Sequence, residues 1–228
     1  MKRLLLISAL ALMAGSQVNA QGITFGALGG LNYSIISVNV DPEPAGFESD
    51  NPNGLGFFLG GYGDYELRAG IKLRAELQLT FRGVSQKTED TFEFFGTTST
   101  TETDFKSRDT YLAIPILIDY EVNESLSLQA GPSLGFLLGS KQKGESTTTT
   151  TLAGSTSTET FSFDGSSTAG RNGFEFGIAL GAQYALNETM GLGLRYTRAL
   201  SDIASSNATY KQKYNVIQVL FSYKIGEK

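Results

Sequence analysis

The sequence predicts an all-β protein, an eight-stranded antiparallel up-and-down transmembrane β-barrel with long extracellular loops and short periplasmic turns. The segment Ile71–Phe81 is the first indication, because its odd positions are apolar and its even positions are polar or charged. Side chains on a strand alternate between faces, so one face of this strand is apolar throughout. Seven further segments repeat the pattern, and long polar connections alternate with short turns, which is typical of outer-membrane barrels.

The first twenty residues have the features of an export signal. Lys2 and Arg3 precede an apolar run, Leu4–Ala14, and cleavage is expected after Ala20. The apolar run is well short of the roughly 20 residues that a membrane-spanning helix needs. Residues 1–20 are therefore predicted to be a signal peptide, and residues 21–228 to be one outer-membrane β-barrel domain.

Eight segments alternate in the manner of strands, and no helical period competes with them. In chain order they are Ile23–Ile35, Leu55–Glu66, Ile71–Phe81, Thr110–Tyr120, Leu126–Leu138, Phe174–Leu186, Met190–Thr197 and Tyr214–Ile225. Their apolar faces carry, in the same order, Phe25 and Leu31; Phe57 and Leu59; Leu73 and Leu77; Leu112 and Ile116; Leu128 and Leu134; Ile178 and Leu180; Leu192 and Leu194; Val219 and Phe221. Pro132 removes a ladder donor from the fifth segment, so we expect a bulge or a rim position there.

The connections between these segments are of two kinds. Segments 36–53, 85–108, 139–172 and 202–213 are long and polar, whereas 66–70, 121–125 and 187–189 are short. The runs of Ser and Thr in residues 140–172 predict a mobile or extended outer loop. A polar β-extension of the barrel is the alternative, because Thr favours strands.

Alternation does not say which face points inward, and a soluble lipocalin-like barrel would reverse the faces. Glycines favour the membrane barrel, because they share the polar face, where a narrow lumen would be crowded. They are Gly26, Gly30, Gly131, Gly135, Gly177, Gly181, Gly191 and Gly193. Tyrosines at the strand ends of the apolar face suggest interfacial girdles. They are Tyr33, Tyr65, Tyr120, Tyr184, Tyr196 and Tyr223.

With the strands placed, the chain resembles the PorT-like outer-membrane β-barrel family of Bacteroidetes. The resemblance spans nearly the whole chain after the signal segment. It is carried by Phe25–Ser34, Ala75–Leu77 with Arg82–Gly83, Tyr111–Pro115, Leu128–Pro132 and Phe176–Gly181. The resemblance implies an eight-stranded outer-membrane barrel, and it suggests an accessory role in a protein-secretion apparatus.

The composition argues against an enzyme and against soft metal sites. The chain has no His and no Cys, and general acid–base chemistry at neutral pH most often uses His. Calcium could bind carboxylates of residues 41–43 or 48–50, but a solvated acidic loop is the favoured interpretation. No cofactor and no metal are expected, and the net charge of −5 argues against a nucleic-acid partner.

The charged residues of the inward face form the best-defined candidate site. Arg74, Glu76 and Arg195 are expected at similar heights, with Lys72, Asp119 and Lys224 lower and Arg82 and Glu175 higher. An eight-stranded barrel is just wide enough for side chains to fill, and buried charges must pair. We therefore favour a structural salt-bridge plug over a gated path for small solutes.

Three aromatic residues of the second long connection, Phe92, Phe94 and Phe95, are candidates for contact with a partner, although they could pack against neighbouring loops. The predicted function is a non-enzymatic membrane scaffold or surface-interaction protein, present as a monomer in outer-membrane lipid. An extracellular or secretion-machinery protein is the expected partner. The alternatives are a secretion accessory and a narrow small-solute channel.

Overall fold

The computed structural model describes residues 23–40, 51–204 and 210–227. The predicted signal peptide and the two acidic segments considered for calcium lie outside the described residues. No helix in the described part of the chain is long and apolar enough to cross a membrane. Nine strands are present in these ranges: β1 (Ile23–Val40), β2 (Asn53–Arg68), β3 (Ile71–Phe94), β4 (Thr97–Glu121), β5 (Leu126–Leu152), β6 (Ser155–Ser166), β7 (Phe174–Ala185), β8 (Met190–Ala199) and β9 (Tyr210–Glu227).

Eight of these strands close into an antiparallel barrel, which confirms the predicted fold class. Each of β1 to β5 pairs with the next, β5 pairs with β7, and β7, β8 and β9 continue the sheet. Pairing of β9 with β1 completes the ring. The remaining strand, β6, pairs with residues 141–152 of β5 above the barrel.

The two faces of the barrel are those that the sequence analysis predicted. The outer surface is apolar, and Leu31, Leu55, Leu59, Leu180 and Leu194 are each more than half exposed. The inward positions are polar and buried, as Asn32, Gln78, Asp119, Gln129 and Arg195 illustrate. All six predicted girdle tyrosines lie exposed on the outer surface. Such a surface is stable only where lipid covers it.

The structure corrects the prediction for two of the long connections. Residues 85–108 form no outer loop, because β3 and β4 continue to a two-residue turn at Phe95 and Gly96. Likewise β5 and β6 meet at Ala153 and Gly154, so the polar β-extension is the right alternative for residues 140–166. In both turns the central residues have positive φ, which matches the twist of a hairpin.

These extensions form a four-stranded sheet above the barrel, which we call the upper sheet. It comprises residues 85–94 of β3, 97–108 of β4, 140–152 of β5 and all of β6. Cross-strand hydroxyl contacts run through it, such as Thr101 to Thr148 and Thr147 to Thr160. Paired β-branched Thr side chains of this kind stabilise a sheet that has little apolar core.

Pro132 lies within the span of the barrel, so the expectation of a bulge or rim position was wrong. The β4–β5 ladder is interrupted there, between the pairs Pro115–Ser133 and Ile118–Ala130. A register shift in these strands occurs farther up, beside Thr110 and Tyr111. The sheet thus tolerates the missing donor by leaving a gap on the β4 side, while the pairing of Pro132 with Ile178 on β7 is kept.

The eight inward glycines lie where a side chain would meet atoms of a neighbouring strand. At each of them a Cβ atom would lie within 3.2 Å of another atom. At Gly30 and Gly131 the atom that it would overlap is a backbone carbonyl oxygen of the adjacent strand, which cannot move aside. The crowded lumen that the sequence analysis expected on this face is therefore present.

Candidate functional site

The middle of the lumen is filled by an ion pair between Arg195 on β8 and Glu76 on β3. The guanidinium donates to both carboxylate oxygens at 2.6 and 2.8 Å, and the two side chains are 1% and 0% exposed. Arg195 also donates to the Gln129 side-chain oxygen at 2.8 Å, reaching past Gly181, which has no side chain to block it. Gln78 donates to Glu76 at 2.6 Å and accepts from Gln218 at 3.2 Å.

A lower layer lies one step toward the short turns and centres on Arg74. Arg74 and Asp64 are direct neighbours in the β2–β3 register, and they form two hydrogen bonds of 2.7 Å. Arg74 also donates to Gln183 and lies 3.9 Å from Asp119. The Tyr62 ring packs under the guanidinium, with its centroid 4.4 Å from the Arg74 Cζ atom. This layer is separate from the Arg195 layer, although the sequence analysis expected one height for both arginines.

An upper layer pairs Arg82 of β3 with Glu175 of β7, the two charges that were expected to lie highest. Arg82 donates to the two carboxylate oxygens at 2.8 and 3.0 Å. Its guanidinium also lies over two aromatic rings, 4.4 Å from the Tyr111 centroid and 4.9 Å from that of Tyr214. Cation–π contacts in a desolvated place of this kind add to the ion pair.

Above the upper layer, the Asp109 carboxylate accepts hydrogen bonds from three parts of the chain. The Tyr214 hydroxyl donates to it at 2.5 Å and the Ser107 hydroxyl at 3.1 Å. Arg171, which lies between β6 and β7, forms an ion pair with Asp109 and donates to Ser140 at 2.9 Å. Burial disfavours the charge on Arg171, but the Asp109 carboxylate outweighs it, so the pKa of Arg171 lies above its usual value. Arg171 thereby fastens the β6–β7 connection across the top of the lumen.

Two of the candidate residues, Lys72 and Lys224, lie at the opposite mouth. Lys72 forms an ion pair with Glu121, and both side chains are partly exposed. Both lysines line a cavity of about 200 Å³ that opens among the short turns and ends at Arg74 and Asp119. The candidate cluster therefore divides into buried layers and an open mouth.

Several residues of the interior were absent from the sequence-based candidate set. Asp64 carried a usable signal, because it occupies an inward position of the same alternation that identified Arg74. The four glutamines, Gln78, Gln129, Gln183 and Gln218, carried the same signal. Arg171 carried none, because it lies outside the strands.

The aromatic candidates Phe92 and Phe94 end β3, and Phe95 occupies the turn. They belong to a strand end and not to the loop that was predicted. By the register, Phe92 and Phe94 share the inner face of the upper sheet with Phe105, Phe161 and Phe163. Phe92 packs against Phe94, with 6.2 Å between the ring centroids, and Phe94 against Phe95, with 4.5 Å.

Comparison with known proteins gives a family match over most of the chain. The sequence profile described as "Outer membrane protein beta-barrel domain" matches residues 16–205. Among solved structures, Ail, the attachment invasion locus protein of Yersinia pestis, is 15% identical over 90% of this chain and 99% of its own, with a TM-score of 0.41. OprG from Pseudomonas aeruginosa is 15% identical over 90% and 97%, with a TM-score of 0.36. Neisserial surface protein A is 13% identical over 90% and 100%, with a TM-score of 0.37. No curated protein matches the sequence.

Proposed function

The chain belongs to the family of outer membrane protein β-barrel domains, and from this premise we propose that it is a non-enzymatic surface-interaction protein. In this proposal the barrel is a closed anchor in the outer membrane. The upper sheet is the part that binds a partner outside the cell. The observation that carries the proposal is the exposed aromatic inner face of that sheet.

The exposure of these aromatic side chains is large for a water-facing surface. Phe95 is 90% exposed, Phe161 is 69%, Phe92 is 67% and Phe94 is 60%. The rings of Phe92, Phe94 and Phe95 pack against one another, yet the structure leaves most of the surface of all four side chains open. Clustered exposed aromatics favour a binding surface, because rigid rings provide large contact area at low entropic cost.

The interior of the barrel supports a role as an anchor over a role as a channel or an enzyme. Glu76, Asp64 and Glu175 are each held by an arginine, and the glutamines fill the space around them. A carboxylate in a closed ion pair is a poor general base for two reasons. Substrate cannot reach it, and the paired arginine stabilises its charged form, which makes it a weaker proton acceptor. We therefore assign the paired layers a structural role as a plug.

We predict that the purified barrel is electrically silent in a planar bilayer. The hydrogen bonds around Arg195 and Glu76 join β3, β5, β8 and β9 across the lumen, and width limits conduction in a barrel of eight strands. Single-channel recording tests this, with a general porin inserted under the same conditions as the positive control. Reproducible unitary current steps from the wild-type protein would favour the channel alternative.

We predict that replacing Phe92, Phe94 and Phe95 by serine lowers the affinity of surface binding roughly 30-fold. This is the loss expected when about 2 kcal/mol of binding free energy, the contribution typical of an interface hot spot, is removed. Binding is measured with intact cells that display the protein, after crosslinking and capture of the bound partner. The matched control replaces Thr91, Glu93 and Thr98 by alanine, since these residues lie on the outer face of the same hairpin. Equal binding by the serine variant and the control would contradict the proposed surface.

The resemblance to the PorT-like family leaves an accessory role in protein secretion as the alternative. The two roles differ in what a deletion strain loses. A secretion accessory requires that the set of secreted proteins changes, whereas a surface-interaction protein requires only that adhesion or capture changes. Comparison of the secreted proteins of the wild-type and deletion strains distinguishes them.

A further inference from the structure

Four basic side chains form a compact cluster on the outer face of β4 and β5, which we call the basic cluster. The register places Arg108 directly opposite Lys141 and Lys106 directly opposite Lys143. Alternation puts all four on the same face as Leu112 and Ile116, the face that lipid covers farther down. All four are exposed.

The basic cluster lies just above the apolar belt. The upper edge of the belt is marked by the outward-facing Phe81 on β3, which pairs with Thr110 on β4. Arg108 is two residues beyond Thr110, about 7 Å along the strand and about 5 Å in height once the strand tilt is included. Headgroups occupy roughly 5–8 Å on each side of the hydrocarbon core. The long side chains of Arg108 and Lys141 therefore lie at headgroup depth.

The charges of the basic cluster are only partly balanced by protein. Lys143 lies 2.8 Å from Asp164 and Lys106 lies 3.4 Å from Asp104. Arg108 and Lys141 have no ion-pair partner among the described residues. Like charges directly opposite each other destabilise a sheet, since their Cβ atoms are only about 5 Å apart. The unbalanced pair is the one nearer to the belt.

We infer that the basic cluster binds the phosphate groups of lipid in the outer leaflet. A guanidinium and an ammonium side by side match a phosphate, because Arg binds it through two parallel hydrogen bonds and Lys through its point charge. Farther from the membrane the same outer face becomes acidic, with Glu102 on β4, Glu145 on β5 and Glu89 on β3. Those carboxylates repel a polyanion lying above, so the anion that fits is one held at the membrane surface.

The test compares the affinity of the detergent-solubilised full chain for lipid A, which carries phosphates, and for its dephosphorylated form. In R108Q/K141Q we expect affinity for the phosphorylated form to fall roughly 30-fold, which corresponds to about 1 kcal/mol for each of the two basic residues near an anionic surface. The charge-swapping variant R108K/K141R is expected to stay within about threefold of wild type. Heat-shifted gel migration verifies that each variant is folded.

The control R68Q/K72Q removes the same charge at the opposite rim and is expected to keep wild-type affinity. Equal losses in this control and in R108Q/K141Q would overturn the proposal. So would equal affinity of the wild type for the dephosphorylated lipid. Displacement of lipid A by millimolar inorganic phosphate, or tighter binding of a soluble sulfated polysaccharide, would also overturn it, since either result would assign the basic cluster to a soluble anion.

Discussion

Replacing Arg195 by leucine is expected to lower the free energy of unfolding of the barrel by about 3–5 kcal/mol. The substitution leaves the Glu76 carboxylate buried at the centre of the lumen without a counter-charge, and Gln129 loses a donor. An uncompensated buried charge is among the costliest defects in a protein interior. Urea unfolding of the barrel in lipid vesicles, followed by intrinsic tyrosine fluorescence or gel migration, measures the loss.

The double variant E76L/R195L is expected to recover at least half of that loss, because it removes both charges and leaves apolar side chains of similar volume. K72Q is the matched control for removal of a cation. Its partner Glu121 stays partly in water, so we expect a change of less than about 1 kcal/mol. If the R195L barrel were as stable as K72Q, or the E76L/R195L barrel less stable than R195L, the structural role assigned to the Arg195–Glu76 ion pair would be refuted.

Replacing Gly131 by alanine is the second large effect that we expect. The added Cβ would overlap the carbonyl oxygen of Ile116 and lie 3.0 Å from the Leu117 Cα atom, both on the neighbouring strand β4. Backbone atoms can yield only if β4 and β5 separate, and overpacking of this kind costs about 3 kcal/mol. The folded fraction after dilution from urea into vesicles, read from heat-shifted migration, should fall sharply.

Gly63→Ala provides the control for this substitution. Gly63 also lies within a strand of the barrel, but its added Cβ would meet the Phe25 ring at 3.6 Å, an ordinary contact distance. We expect G63A to fold as the wild type does, or slightly better, because alanine restricts the unfolded chain. Equal folding yields for G131A and G63A would show that the lumen is less crowded than the structure describes.

Both the local sequence and the tertiary structure determine the strands of the upper sheet. Both of its turns end in glycine, at Gly96 and Gly154, and both are flanked by Thr-rich segments that favour strands. For residues 140–172 the sequence analysis considered both a polar outer loop and a β-extension, whereas residues 85–108 were predicted only as a long polar connection, because these segments lack an apolar face to bury. Pairing with the upper parts of β4 and β5, which the barrel already holds in place, makes the strands stable.

The amino-acid sequence by itself determined where this protein resides and which face of each strand meets lipid. Alternation with a period of two is a property of the chain, and the apolar set can be covered only by the membrane. The heights of the side chains within the lumen could not be derived in the same way. Shifting one strand by two residues against its neighbour keeps every side chain on its face but brings it opposite a different partner. Only closure of the barrel set the registers that bring Arg195 to Glu76, 119 positions apart, and Arg171 to Asp109.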